Sequence, residues 1–252
     1  MRRTAAVAAV AVLGLLPAAA DVPPPPEVPY ENASYDGRVT FNRLRFDPSV
    51  WGPGNYIWGL DLKWNHDYPR AERHLMKILA ETTTIDVQEE GSVVLALDDP
   101  ELFRYPVAYL CEPGFWTMSE SEVAGFRAYL LKGGFVIADD FQGAHWFNFV
   151  EQLARVLPEG RLVQLEGDHP IFDSFFRVDP YDFEHPYQGV ASPSYFGVFE
   201  DNDPSRRLML IANYNHDIGE YWEWSDTDYV PIDLSNEAYK LGVNYIVYGM
   251  TR

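Results

Sequence analysis

Cysteine is almost absent from this chain of 252 residues. Cys111 stands alone, so no intramolecular disulfide can form. Cohesion must come from packing, for which an aromatic content of 15% supplies the material. Basic residues are scarce too, 19 Lys and Arg against 38 Asp and Glu, a formal charge of −19. Such a surface repels phosphate backbones and anionic headgroups over a Debye length. It argues against a nucleic acid partner and leaves cations, neutral sugars, peptides or a basic protein face. No apolar run reaches the roughly 20 residues that a membrane helix needs, so no membrane span is expected after signal cleavage. Internal repeats are missing, as are the H-E-x-x-H, H-x-H and calcium-loop patterns that mark a metal site in sequence.

The N-terminus has the order of a secretory signal. Arg2 and Arg3 form a basic start, Ala5 to Leu16 a weakly apolar core, and Pro17-Ala18-Ala19-Ala20 a small-residue cleavage site. Cleavage after Ala20 and export, to the periplasm or out of the cell, are expected. Residues 21–36 are rich in Pro and acid, with Pro23-Pro24-Pro25-Pro26, and read as an extended tether. Residues 37–252 suit one α/β domain.

Within that domain apolar periodicity switches repeatedly between strand and helix. Val39 to Phe46 alternates apolar positions with Thr40, Arg43 and Arg45, an imperfect strand pattern. Asp67 and Pro69 start a helix whose face is Ala71, Leu75, Ile78 and Leu79. Short strands are expected at Ile85 to Val87, Val93 to Leu97 and Pro106 to Leu110. Ser119 with Glu122 makes a capping box for a helix through Leu131, and Gly133-Gly134 turns the chain into the apolar strand Phe135 to Ala138. A helix from Phe147 to Leu157, a strand from Arg161 to Leu165, and a hairpin of Tyr195 to Phe199 with Leu208 to Ala212 follow. Leu234, Ala238, Leu241, Tyr245 and Tyr248 space a closing helix despite Gly242. The order predicts an α/β fold: a doubly wound, mostly parallel sheet with helices on both faces and an antiparallel hairpin near the C-terminus.

A strand apolar on both sides belongs inside a covered parallel sheet, and such sheets bind ligands outside their carboxyl ends. Phe135 to Ala138 empties into Asp139 and Asp140, which places both at that edge. Asp98 and Asp99, Glu112, Asp168 with His169, and Asn213 to Asp217 are expected to project there as well. Asp140, His169, His216 and Asp217 are candidate ligands for a divalent zinc, manganese or iron ion. The alternative is that these Asp side chains cap helices and tie down turns. His169, before Pro170, is either a base or ligand poised near neutral pH or a ring that fixes a turn. Aromatic residues beside acids, in Trp51 to Trp58, Trp64 and Tyr221 to Trp224, suggest a sugar cradle, with Trp58, Trp64 and Glu223 towards the ligand. Packing as small lids is the simpler account of most of them.

The set Trp64 with Asp67, Asp98 to Phe103 leading to Tyr105-Pro106, Gly133-Gly134-Phe135 with Asp139-Asp140, Asp168 to Phe172, Asn215 to Glu223, and Gly242-Val243-Asn244 with Tyr248 resembles a bacterial domain-of-unknown-function family, number four-one-five-nine. The resemblance runs in order from about Phe41 to Thr251. It implies a fold similar to the class I glutamine amidotransferase-like, flavodoxin-like sheet, and it brings no reaction. Proteins of that fold often carry a nucleophilic Cys on a sharp turn after a central strand, and Cys111 follows such a strand. Its neighbours Leu110, Glu112 and Pro113 are not the small residues that a tight elbow requires, and no late His-x-Glu partner occurs. A buried, inert thiol is expected.

Two functions remain open on these grounds. One is a noncatalytic exported module that binds a small molecule, a carbohydrate or a protein at an acidic rim. The other is a metal-assisted hydrolase acting on a carbohydrate or amide.

Overall fold

The computed structural model describes residues 30–48, 61–183, 185–187 and 189–252. In chain order the strands are β1 (Val39–Arg45), β2 (Asp47–Pro48), β3 (Val87–Ala96), β4 (Val107–Cys111), β5 (Trp116–Thr117), β6 (Phe135–Phe141), β7 (Leu162–Gln164), β8 (Ser194–Phe199) and β9 (Leu208–Tyr214). The helices are α1 (Arg70–Thr82), α2 (Glu120–Leu131), α3 (His145–Val156), α4 (Ile218–Glu223) and α5 (Ile232–Thr251). Seven strands form one sheet in the order β3-β1-β4-β6-β9-β8-β7. The first five of that order run parallel, and β8 and β7 add antiparallel pairings at one edge. The short β2 pairs with β5 outside it.

The period of two along each strand divides the core between the sheet's faces. Phe135 and Ile137 of β6 pack with Leu75, Leu79, Trp222, Leu241 and Tyr245 of α1, α4 and α5. Val136 and Ala138 pack on the other face with Val123, Phe126, Phe149 and Leu153 of α2 and α3. Helices on both faces therefore cover a mostly parallel sheet, as the alternation of elements implies.

Local signals set the boundaries. The capping box at α2 forms on both sides, Ser119 accepting from the Glu122 N–H and Glu122 accepting from the Ser119 N–H. Gly133 turns with φ +115°, a conformation open to glycine. Gly242 sits inside α5 because a Cβ there would come within 2.7 Å of Trp222 and 2.8 Å of Leu75; its absence lets α5 close on α4 and α1. Two details differ from the sequence pattern. The strands expected at 85–87 and 93–97 join into the single β3. Arg43, on the polar side of the alternation, is fully buried, because a central parallel strand is covered on both faces.

Candidate functional site

From β1 the chain passes through α1 to β3 on one side, then returns to β4 on the other. That reversal leaves a crevice outside the carboxyl ends of β1 and β4, where open α/β sheets take ligands. Four segments meet there: the loop before α1 (Asp61 to Asp67), the end of β4 (Cys111, Glu112), the end of β6 (Asp139, Asp140), and the stretch from Asn213 into α4.

Arg43 fixes the first segment. Its Nε donates to Glu72 Oε1 at 2.6 Å, its Nη1 donates to the carbonyls of Trp64 and His66 at 2.9 Å, and its guanidinium lies 5.0 Å from the Tyr109 ring centre. The Arg43–Glu72 pair is buried on both sides, so the loop that delivers Asp67 hangs from a charge that cannot leave. Asp139 fixes the opposite wall. Its carboxylate accepts from Tyr109 Oη (2.9 Å), Asn213 Nδ2 (2.9 Å) and the N–H groups of Ile218 (2.9 Å) and Gly219 (3.1 Å). Tyr245 Oη in turn donates to Asn213 Oδ1 at 2.9 Å. Asp139 thereby ties β4, β6, β9, α5 and the start of α4 into one knot.

Backbone strain concentrates here. Of seven non-glycine residues with positive φ among those described, five are Lys63, Asp67, Glu112, Asp140 and Asn215, all at this edge. Such conformations cost energy and persist where the surroundings impose them, commonly at functional sites. At Asp140 the positive φ coincides with a break in the β6–β9 register between Ala138 and Phe141. After β4 the strained residue is Glu112 rather than Cys111, so the turn presents a carboxylate where an elbow nucleophile would stand.

The electrostatics are those of crowded acids. Burial pushes the Asp67, Asp140 and Asp217 carboxyls well up, and each is pushed further by its neighbours: Glu220 and Glu223 act on Asp67, Glu112 and Asp67 on Asp140, and Asp140 on Asp217. Arg43 offsets part of this at Asp67. Burial raises Asp139 despite its four donors. Cys111 is fully buried, its Sγ 3.8 Å from Asp140 Oδ2 and 4.0 Å from Asp67 Oδ2, and burial and those carboxylates push the thiol well up. A protonated, enclosed thiol is no nucleophile at neutral pH.

Among the described residues, three trios place ligand atoms within 4.8 Å of one another: Asp61–His66–Glu112, Asp67–Cys111–Asp140 and Asp67–Glu220–Glu223. The last opens into a cleft of about 570 Å3 whose walls include Tyr187, Trp224 and Tyr229. Tyr187 Oη donates to Glu220 Oε1 at 2.7 Å, and Arg70 lies 4.7 Å over the Trp224 ring.

The structure gathers some of the residues singled out in the sequence and disperses others. Asp139, Asp140, Asp217 and Glu223 meet at this edge. Asp217 accepts from the Glu220 N–H at 2.9 Å and caps α4. His216 is fully buried, its ring tilted against Phe183 and edge-on to Tyr195; its Nδ1 accepts from the Asp217 N–H, and burial lowers its pKa to about 3. His169 sits at the opposite edge, against Phe199 and Tyr248, where its Nδ1 accepts from the Ile171 N–H. It is a turn-fixing ring and lies apart from Asp140. Trp64 is buried against Tyr30 and does not line the cleft. Trp58 lies outside the described residues. Sequence reasoning missed Arg43, Asp67 and Glu220 as site residues. Asp67 had a signal, an acid just after an aromatic loop, but it reads equally as a helix start.

A family model described as a domain of unknown function (DUF4159) matches residues 54–250. A comparison with curated proteins returned no match. The match takes in every element from α1 to α5 and leaves β1 and β2 outside it, and the chain belongs to this DUF4159 family.

Proposed function

We propose that the chain is an exported, noncatalytic binding module that holds a carbohydrate in the cleft at the sheet's carboxyl edge. The observation that carries this reading is the cleft itself, with Asp67, Glu220 and Glu223 at its floor and Tyr187, Trp224 and Tyr229 in its walls. Aromatic faces stack on sugar rings while carboxylates accept from hydroxyls, and the volume is that of a small-ligand pocket. Acid crowding favours neutral or amino-bearing sugars over anionic ones. The order of the first four long strands, second-first-third-fourth across the sheet, supports descent from a flavodoxin-like, amidotransferase-like fold. The signal at 1–20, the tether at 21–36 and the domain at 37–252 belong to the same proposal. A glycan array of neutral, amino-bearing and acidic oligosaccharides tests it. Binding to the first two classes, weakened by about tenfold or more in Trp224→Ala, is expected for a stacking contact. An array without binding, or binding indifferent to Trp224 and Tyr229, sinks the reading.

A metal-assisted hydrolase is the second reading. It is favoured by the approach of Asp67, Cys111 and Asp140 to within 4.8 Å, a mixed sulfur and oxygen donor set of the kind transition metals accept. Here Asp140 and Asp67, rather than His169, would carry the ion. Release of reducing ends or amines, abolished by Asp140→Ala, would support it over the binding module.

A further inference from the structure

The three acid trios differ in what already satisfies them. In the Asp61–His66–Glu112 trio both carboxylates hold the Lys63 ammonium, 2.6 Å from Asp61 and 3.4 Å from Glu112, so that trio holds its positive charge already. Asp67, Cys111 and Asp140 close around a thiol with no exposed surface. Asp67, Glu220 and Glu223 have no such resident and open to solvent through the cleft. Of the nearby cations, Arg43 donates to Glu72 and two carbonyls, with only its buried Nη2 unpaired, and Arg70 pairs with Asp226.

Asp67 supplies a separate indication. It is only 8% exposed and lines the cleft, yet among the described residues no N–H or O–H group donates to its carboxylate; the one donor near it is the Cys111 thiol at 4.0 Å. Buried carboxylates are ordinarily hydrogen-bonded or paired, and one met only by a thiol at 4.0 Å and aimed into an open cleft leaves a position that a cation from outside can fill. Gly219 keeps that space free, since a Cβ there would stand 2.3 Å from Asp67 Oδ2. The spacing also fits. Oxygens that ligate calcium at about 2.3 to 2.6 Å are at most about twice that far apart, which accommodates a trio within 4.8 Å.

Resting on the cleft reading above, we propose that Asp67, Glu220 and Glu223 bind one hard divalent cation, calcium or manganese, at the floor of the cleft. An all-oxygen donor set selects such ions over softer ones. The Tyr187 hydroxyl holds Glu220 in place, and the coordination positions left over face the cleft, where hydroxyl groups of a bound sugar can fill them. The cation would thus serve as an anchor for the ligand.

Calorimetric titration of the full, metal-stripped chain with calcium chloride and with manganese chloride tests this. The expected result is one equivalent bound. Affinity should fall by about tenfold or more in Asp67→Asn and in Glu223→Gln, each of which removes a charged ligand. Gly219→Ala should weaken binding with no change of charge, whereas Asp61→Asn, in the trio that Lys63 already fills, should bind as wild type. Melting followed by circular dichroism verifies that each variant is folded; Asp67→Asn should melt no lower than wild type in EDTA, since it relieves repulsion. No heat with either ion, or an unchanged affinity in Asp67→Asn, overturns the cation site. Sugar binding measured in EDTA separates the two proposals: if it persists in a protein that takes up no cation, the cation site alone falls.

Discussion

Asp139 and Asp140 are adjacent in sequence, yet the first accepts four hydrogen bonds while the second, among the described residues, accepts only from the Cys111 thiol. The break in strand register at Asp140 separates them, one side chain joining the knot and the next meeting Cys111 and Asp67. Asp139→Ala should therefore be severe. It strands the Tyr109 hydroxyl, the Asn213 amide and two N–H groups in a dry interior, a loss of about 3 kcal/mol or more measurable by urea denaturation. Asp67 makes the opposite prediction. Its folded-state carboxyl lies above its unfolded value, so the folded chain binds that proton more tightly and is penalised as pH rises through and beyond the ordinary carboxylate range. In EDTA, Asp67→Asn should be more stable than wild type at neutral pH and lose that advantage as pH falls to about 4, the ordinary carboxyl value. Paired urea titrations at several pH values decide it. An advantage that grows in acid would show that Asp67 is stabilised as the anion instead.

Elements owe their positions to small choices at their ends and contact points. Ser119→Ala removes one half of the α2 capping box and should cost about 1 kcal/mol, without effect on the distant cleft. Gly242→Ala sets two effects against each other. Alanine improves the helix by about 1 kcal/mol, but its methyl meets Trp222 and Leu75 inside 2.9 Å. Overpacking of a buried contact costs about 1 to 3 kcal/mol, so the variant should be destabilised, and because Trp222 belongs to α4 the floor of the cleft should shift with it. Loss of calcium affinity in Gly242→Ala beside full affinity in Ser119→Ala, read by calorimetry, would distinguish α4 placement from general stability. The helical face from Ala71 to Leu79, the capping box, the Gly-Gly turn and the strand behind it were all legible, because each depends on residues near one another in sequence. Helix α4 was not, since its six residues carry no full apolar period and its start is held by Asp139 from 79 positions away.

At the scale of the whole molecule, the excess of acid acts as a diffuse self-repulsion that salt should relieve. Raising ionic strength from about 0.01 M to about 1 M shortens the Debye length from about 30 Å to about 3 Å, and the metal-free chain should melt higher at the upper end. A melting temperature indifferent to sodium chloride would place the cost in local burial rather than in net charge. The sequence alone determined the class of fold, because apolar periodicity and turn chemistry are local, although the polar alternation of β1 hid that both its faces are covered. It also placed Glu112, Asp139, Asp140 and Asp217 at the carboxyl edge of the sheet, since that follows from strand direction, but not the stretch at His169. Only the tertiary structure decided which of them face one another. His169 and Asp140 follow neighbouring strands in chain order and end at opposite edges, while Asp67 and Glu220, 153 residues apart, share one cleft. Proximity between distant residues is set by strand order across the sheet and by the buried Arg43 and Asp139 that hold its loops, neither of which leaves a periodic mark in the chain.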